Sequence, residues 1–393
     1  MQVRAQIVAM ASTSLSQAVT IAVRYGLVRT QGYDGSGRKE VQILNYTQQQ
    51  HRLFGHLACA YCFHFAGRRI MRKLKSLESA VLSGGGGSAS KTSMSDLHAS
   101  LSSLKAYCSD AAAAGIEDCR RSCGGHGYLV ASGFPDLLNT YLQNPTVEGD
   151  NYVLPQQTAK VLLRLLEDIE GGEPMDQWRD ADAAYLVDAV LADEGGGGAG
   201  RGVGFDNDPE FLLGLLRRRS CSLLTHVGER MRAGVEGGKG LQEVWNDSLV
   251  RIRRLSHAHA AVLLMTDFVK FLSSSELHDG PERSALSDLA LLFGLMIIER
   301  DAGDFVGILS EEQIENVRDS VLKTLTRLRP NAIGLVDAFD FSDARLKSAL
   351  GKYDGEVYTA LMSSTKGDVN CMNKFDVIKP VVSLGGIGLA SSL

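Results

Sequence analysis

Apolar residues recur at intervals of three and four along most of this chain, which is the spacing that places side chains on one face of an α-helix. The first segment shows the pattern clearly, with Ile7, Ala11, Leu15, Ala18 and Ala22 at helical spacing. The same pattern predicts helices over 1–28, 47–82, 96–123, 155–169, 209–235, 241–275 and 283–300. No run of alternating apolar and polar residues predicts a β-sheet, and we therefore expect an all-α fold.

The start of one further helix can be predicted from its polar residues. Ser310 is followed three positions later by Gln313, and the sequence SEEQ is typical of a capping box. An apolar stripe follows as far as Leu328, and Pro330 marks the end, because proline cannot continue a helix. A helix is therefore predicted from just after Ser310 to just before Pro330.

Glycine-rich stretches divide the helices into two groups. The run GGGGSAS at 84–90 predicts a flexible loop, and glycines and prolines predict another over 124–151. The stretch 171–208 contains EGGGGAGRGVG with acidic flanks, which is typical of a surface linker. The expected organisation is a helical bundle at 1–170, a linker at 171–208, a second helical bundle at 209–375 and a tail at 376–393.

Composition and charge exclude several classes of protein. The chain has 393 residues and a net charge of −5, so it has no basic excess with which to bind nucleic acid. Its longest strongly apolar run, Leu289–Ile298, is about half as long as a bilayer-spanning helix, and no membrane span is expected. Cys59 and Cys62 form a CxxC inside an apolar helical stripe, and the histidines lack metal-binding spacing. We therefore expect buried free thiols and no metal site.

The stretch from 119 to 151 carries the residues that could perform chemistry. Gly124-Gly125-His126-Gly127 follows a helix end and leaves backbone amides uncovered, so that a cofactor could approach closely. Glu148 lies between Val147 and Gly149, and a carboxylate removed from water could act as a general base. On the residues alone, a glycine turn and a helix-capping glutamate are the simpler interpretation.

Several motifs, in this order, resemble those of the peroxisomal acyl-CoA oxidases, which are flavoproteins similar to the acyl-CoA dehydrogenases. The first are SLSQAVTIAVRYGLVRTQ, CRRSCGGHGY and TVEGDNYVLPQQTAKVLLR. Near the C-terminus, DAGDFVGILSEEQI, RLRPNAIGLVDAFDFSD and LGKYDGEVYTAL resemble the second helical domain that the oxidases have and the dehydrogenases lack. The resemblance covers residues 3–365 and implies the helical C-terminal domains of that family.

The resemblance implies roles for individual residues. Glu148 matches the family's catalytic base, its backbone amide would help to hold the thioester carbonyl, and Gly149 would leave room for the substrate. The residues implied to contact FAD, in part across a dimer interface, are Arg29, Gln31, Arg121, Gly124 and Gly125. We expect the Glu148 carboxylate to lie in a cleft near the glycine turn at 124–127.

The implied activity is the first step of peroxisomal fatty acid β-oxidation. An FAD-dependent homodimer would oxidise a fatty acyl-CoA with O2 to a trans-2-enoyl-CoA and hydrogen peroxide. The C-terminal Ser391-Ser392-Leu393 is similar to the Ser-Lys-Leu peroxisomal address. A peroxisomal import receptor is therefore an implied partner, and the peroxisome, or a glycosome-type organelle, is the implied location.

The family has an N-terminal helical domain and a β-barrel domain before the region that matches here. We therefore expect this chain alone to hold FAD weakly and not to turn over substrate. An alternative is a non-catalytic helical subunit that dimerises with a full-length oxidase. A dehydrogenase that passes electrons to a carrier flavoprotein is disfavoured, because the segment after residue 208 resembles the oxidases.

Overall fold

The computed structural model describes residues 1–82, 91–194 and 205–365, where nearly all regular structure is helical, as expected. The helices are α1 (Gln2–Val28), α2 (Thr47–Leu82), α3 (Lys91–Ser122), α4 (Phe134–Tyr141), α5 (Pro155–Glu170), α6 (Tyr185–Glu194), α7 (Pro209–Glu236), α8 (Leu241–Leu272), α9 (Pro281–Arg300), α10 (Glu311–Leu328), α11 (Ala332–Asp337), α12 (Asp343–Leu346) and α13 (Val357–Thr365). A short antiparallel hairpin of β1 (Thr30–Tyr33) and β2 (Glu40–Gln42) follows α1.

Three predicted segments lie outside the described residues. They are the glycine runs at 84–90 and 195–204 and the tail at 376–393, which includes Ser391-Ser392-Leu393.

Helix α1 is the central helix of the fold, and its predicted apolar stripe is buried. It runs beside α3 in the same direction. Arg4 Nη1 donates to Ser102 Oγ near one end, and Tyr25 Oη is hydrogen-bonded to His126, just beyond α3, near the other. By length and composition α1 could cross a membrane, but 67% of its most apolar window is buried inside the fold, as expected of a core helix.

The two groups of helices pack against each other through one continuous hydrophobic core. Phe65 of α2 stacks on Phe271 of α8 with ring centroids 4.2 Å apart. Arg69 of α2 also donates from Nε to Asp267 Oδ2 of α8 over 2.7 Å. The regions predicted as two bundles, 1–170 and 209–375, are therefore joined by an extensive packed surface as well as by the chain between them.

Part of the segment predicted as a linker, 171–208, is folded. A 3-10 helix at Met175–Trp178 and helix α6 lie within it. Trp178 is 2% exposed, and its Nε1 donates to Asp168 Oδ2 over 3.0 Å. The linker prediction is therefore wrong over 175–194. Isolated large apolar residues bury this segment, which is too short to show a helical period in the sequence.

The start of α3 also differs from its prediction. Asp96, which was expected to open the helix, is a buried residue in its second turn. Its two carboxylate oxygens accept hydrogen bonds from the backbone N–H groups of Asp182 and Ala183. Asp96 therefore fixes the segment before α6, because a buried carboxylate needs donors, and these two amides supply them together with Lys73 Nζ.

Other local predictions are confirmed. Helix α2 has its predicted bounds, and the capping box of α10 forms in both directions between Ser310 and Gln313. The predicted loop at 124–151 differs from its prediction, because it contains the short helix α4 and two 3-10 helices, Gly124–Tyr128 and Val130–Ser132. Pro135 in the first turn of α4 is compatible with a helix start, where proline's missing N–H has no partner to lose.

We predict that Trp178→Ala lowers the free energy of unfolding by about 3–5 kcal/mol, because it leaves a cavity in the core beside α5. The neighbouring variant Arg179→Ala removes an exposed side chain and should stay within about 0.5 kcal/mol of the native chain. Urea unfolding followed by circular dichroism measures both variants. Equal stabilities would contradict the burial of this segment.

Candidate functional site

The glycine sequence after α3 forms a 3-10 turn, Gly124–Tyr128. Gly124 has a positive φ of 61°, which glycine adopts without strain. A Cβ atom at Gly124 or Gly125 would meet no atom within 4 Å, whereas a Cβ at Gly127 would lie 2.0 Å from the backbone oxygen of Arg120. The first two glycines therefore leave the backbone open to an approaching group, and the third lets the turn fold back on α3.

Side chains from three segments meet beside this turn. Tyr25 Oη and His126 Nδ1 are 2.7 Å apart, and the His126 ring packs edge-on against Tyr358 of α13. Arg29 donates from Nη1 to Tyr358 Oη over 3.2 Å and from Nη2 to Gln31 Oε1 over 2.7 Å. Burial raises the pKa of Tyr25 to about 12, so this phenol keeps its proton. The predicted residues Arg29 and Gln31 thus lie together, next to the turn.

Arg121 lies at the end of α3 and projects into solvent, with a side chain that is 68% exposed. It donates from Nε to Glu117 Oε1 over 2.9 Å. Arg120 binds the same carboxylate with two nitrogens, and these hydrogen bonds lower the pKa of Glu117 to about 2. The end of α3 therefore carries two arginines for one carboxylate, which leaves a net positive charge beside the glycine turn.

Glu148 lies in a tight turn between α4 and α5. Its φ of 62° is rare for a residue with a side chain, and the following Gly149 has a φ of 114°. A Cβ at Gly149 would lie 2.8 Å from Leu154 Cδ2, so a larger residue at this position would also have to displace the Leu154 side chain. Arg4 of α1 donates from Nε to the Glu148 backbone oxygen over 3.1 Å and lies 4.0 Å from its carboxylate. The Glu148 side chain is 37% exposed.

A buried lysine that the sequence analysis did not identify lies beneath this turn. Lys105 of α3 is fully buried, and its Nζ donates to Pro145 O over 3.1 Å, Gly149 O over 2.7 Å and Asn151 Oδ1 over 2.9 Å. Burial lowers its pKa to about 8. The only sequence signal is a lysine inside the apolar pattern of SLSSLKAYC, where a charged side chain is uncommon.

The structure places Glu148 and the glycine turn far apart. Glu148 contacts Arg4, near the start of α1, and His126 contacts Tyr25, near its end. These two positions are separated by about 30 Å along the helix axis. The expectation that Glu148 lies near the turn at 124–127 is therefore wrong within one chain, because α1 and α3 run side by side and hold the two groups at opposite ends. Within one chain, the residues expected to contact FAD therefore lie apart from the expected base.

Two family models match the chain. The model for the acyl-CoA oxidase C-alpha1 domain matches residues 1–163, and a second acyl-CoA oxidase model matches residues 208–383. Both the segment with Glu148 and the segment with Tyr358 therefore fall within matched regions.

Individual acyl-CoA oxidases also match this chain in sequence and in structure. The chain is 34% identical to the mouse peroxisomal acyl-coenzyme A oxidase 1 over 376 residues, which is 93% of this chain and 54% of the mouse protein. Among solved structures it resembles Arabidopsis thaliana acyl-CoA oxidase 1, with a TM-score of 0.82 and 31% identity over 98% of this chain and 57% of that one. It also resembles Caenorhabditis elegans acyl-CoA oxidase-2 bound with FAD, ascaroside-CoA and ATP, with a TM-score of 0.85 and 30% identity over 99% and 57% of the two chains. The chain spans about half the length of the relatives it matches.

We predict that Gly127→Ala lowers the free energy of unfolding by at least about 2 kcal/mol, because the new methyl group would overlap the Arg120 carbonyl oxygen. Gly125→Ala is the matched control and should change stability by less than about 0.5 kcal/mol, since its Cβ would enter open space. Thermal unfolding of the three proteins measures the difference. A Gly127→Ala chain as stable as the control would contradict the geometry of the turn.

Proposed function

This chain belongs to the acyl-CoA oxidase family, and we propose that it forms the helical half of an FAD-dependent acyl-CoA oxidase. The substrate would be a fatty acyl-CoA, and the products a trans-2-enoyl-CoA and hydrogen peroxide. The proposal rests on the position of Glu148. Its backbone is held in a tight turn by Arg4, and its carboxylate is still accessible to a substrate from solvent. Its apolar neighbours Val147, Tyr152 and Val153 are also exposed, and they would suit an acyl chain.

Glu148 would act as the general base on the α-carbon of the thioester. The α-proton is weakly acidic, so the reaction needs a positioned carboxylate and a donor to the carbonyl oxygen, where negative charge develops. The backbone N–H of Glu148 is the donor we propose, and Gly149 would leave space for the thioester. Bound substrate would exclude water from the turn, and a dry site strengthens both interactions.

The residues beside the glycine turn fit an anionic dinucleotide. Arg29 is a half-buried cation whose position is fixed by two hydrogen bonds, and Gln31 adds amide hydrogen-bonding groups. Gly124 and Gly125 leave backbone amides uncovered, and Arg121 adds a second positive charge. These five residues would hold the phosphate and adenine parts of FAD. FAD, when bound, supplies the acceptor for a hydride from the β-carbon and passes the electrons to oxygen.

The separation of about 30 Å between Glu148 and Tyr25, which lies beside the FAD-contacting residues, favours a homodimer. In such a dimer each active site would take its base from one subunit and part of its FAD contacts from the partner subunit. This arrangement would explain why one chain holds two groups of candidate functional residues that do not meet.

We also propose a peroxisomal location, which the names of several relatives support. The C-terminal Ser391-Ser392-Leu393 would be the segment that an import receptor binds. Loss of a fluorescent fusion protein from peroxisomes after removal of these three residues would support this part of the proposal.

We predict that Glu148→Gln lowers kcat by about 10³-fold or more, because glutamine cannot accept the α-proton. The assay uses a hybrid in which the N-terminal part of the Arabidopsis relative, which this chain does not match, precedes residue 2. Peroxide release from a fatty acyl-CoA is the readout. Glu315→Gln, an exposed change on α10, is the control and should keep full activity. Undiminished turnover in the Glu148→Gln hybrid would remove this residue from the mechanism.

A second prediction tests the shared active site. Glu148→Gln and Arg29→Gln hybrids should each be nearly inactive, but co-expression should restore about a quarter of the native activity. Half of the dimers would be mixed, and each mixed dimer would have one intact site and one site with both changes. If both residues served one site within a chain, every site of a mixed dimer would be damaged. Co-expression would then restore nothing.

A further inference from the structure

A lysine ammonium inside the fold connects α3 to both sides of the Glu148 turn. Lys105 has no exposed surface, and all three of its N–H groups have acceptors. Two of these acceptors, Pro145 O and Gly149 O, are backbone oxygens of the segment 145–151, which we call the Glu148 loop. The third, Asn151 Oδ1, is at the end of the same loop. One side chain thus binds the loop before and after Glu148.

The loop needs such an attachment because its backbone is strained. Glu148 has a positive φ, a conformation that is unfavourable for a residue with a Cβ atom. Arg4 supports the Glu148 carbonyl from one side, and Lys105 binds the next carbonyl, that of Gly149, from the other. These two cations bind the carbonyl groups of two successive peptide units, on either side of the Gly149 Cα, and so they restrain the backbone directly after Glu148.

The attachment continues into the second group of helices. Asn151 Nδ2 donates to Ser109 Oγ over 2.8 Å and to Asp110 Oδ1 over 2.6 Å. Asp110 Oδ2 accepts from Arg253 Nη2 of α8 over 3.3 Å, and the Arg253 guanidinium lies 4.6 Å from the ring centroid of Tyr152. The far end of the Glu148 loop is therefore held by α3 and α8 together.

Net stability does not explain why this position carries a charge. Burial lowers the pKa of Lys105 to about 8, and Arg4 adds to this change, although Asp110, Asp150 and Glu148 oppose it. The charged form is therefore less favourable inside the fold than in water, and an apolar side chain of similar length would avoid this cost of burial. A buried charge of this kind is better explained by the geometry that it specifies.

We propose that Lys105 is a positioning residue, whose hydrogen bonds to the Glu148 loop set the orientation of the Glu148 carboxylate. The catalytic part of this inference rests on the proposed function. The structural part, that Lys105 immobilises the loop, can be tested on the 393-residue chain without any activity.

Lys105→Met should release the loop while keeping the fold. Hydrogen exchange followed by mass spectrometry should show the amides of 146–151 exchanging at least about tenfold faster, since the loop would lose its hydrogen bonds to a charged group. The rest of α3 should exchange at its native rate. Lys323→Met, on the exposed face of α10, is the matched control and should leave the loop unchanged. Native exchange in the loop, or equally faster exchange throughout the chain, would overturn the proposal.

Lys105→Gln covers the case in which the methionine variant does not fold, because an uncharged amide still hydrogen-bonds but cannot reach three acceptors. It should show the same selective loosening of the loop, and native exchange in its loop would equally overturn the proposal.

The activity measurement uses the hybrid described above. Lys105→Met should lower kcat about 100-fold and change KM by less than about threefold, because the base is misplaced while substrate binding is kept. Lys105→Arg, which keeps the charge and the donors, should recover at least part of the lost kcat. Native kcat in a Lys105→Met hybrid with a mobile loop would overturn the positioning role. A native hybrid that forms no peroxide would instead contradict the proposed function, and hydrogen exchange would still decide whether Lys105 holds the loop.

Discussion

The burial of helix α1 between its neighbours determines where the candidate functional residues of this chain lie. A helix that is buried along its length is a rigid spacer, and its two ends are separated by its rise per residue. Arg4 near one end contacts the Glu148 turn, and Tyr25 near the other contacts the glycine turn through His126. No side-chain movement closes a gap of about 30 Å, so the two groups cannot contact each other within one chain.

The fold was largely predictable from the sequence because most of the long helices expose one face and bury another. Such helices leave a strong period in the sequence, and the bounds of α2 and the capping box of α10 match their predictions. The segment 175–194 was missed because its burial depends on single contacts, such as the hydrogen bond from Trp178 to Asp168. Asp96 was misjudged for a related reason. A buried carboxylate that binds distant amides looks, in sequence, like a helix cap.

The candidate site was predictable only where its residues are close in sequence. Glu148 before Gly149, and Arg29 near Gln31, are local patterns, and the structure gives both pairs a specific local geometry. The contact from Arg29 to Tyr358 joins residues 329 positions apart, and neither residue type indicates it. Lys105 was missed because a lysine in an apolar pattern is usually an exposed interruption of it. The three acceptors of the Lys105 ammonium become visible only in the structure, where α3 packs beneath the Glu148 loop.

Buried charges recur where segments of this chain must be aligned with one another. The side chains of Arg219 and Asp304, which are 3% and 2% exposed, pair over 2.7 Å between α7 and the short 3-10 helix that follows α9. Such pairs add little net stability, because removing two charges from water offsets most of their attraction. They do penalise every arrangement in which a partner is missing, and so they favour one alignment of the helices. Lys105 would favour one position of the Glu148 loop in the same way, because any other position would leave its buried ammonium without acceptors. Because Arg253 of α8 binds the same network through Asp110, the second group of helices contributes to the geometry of the proposed base as well as to the core.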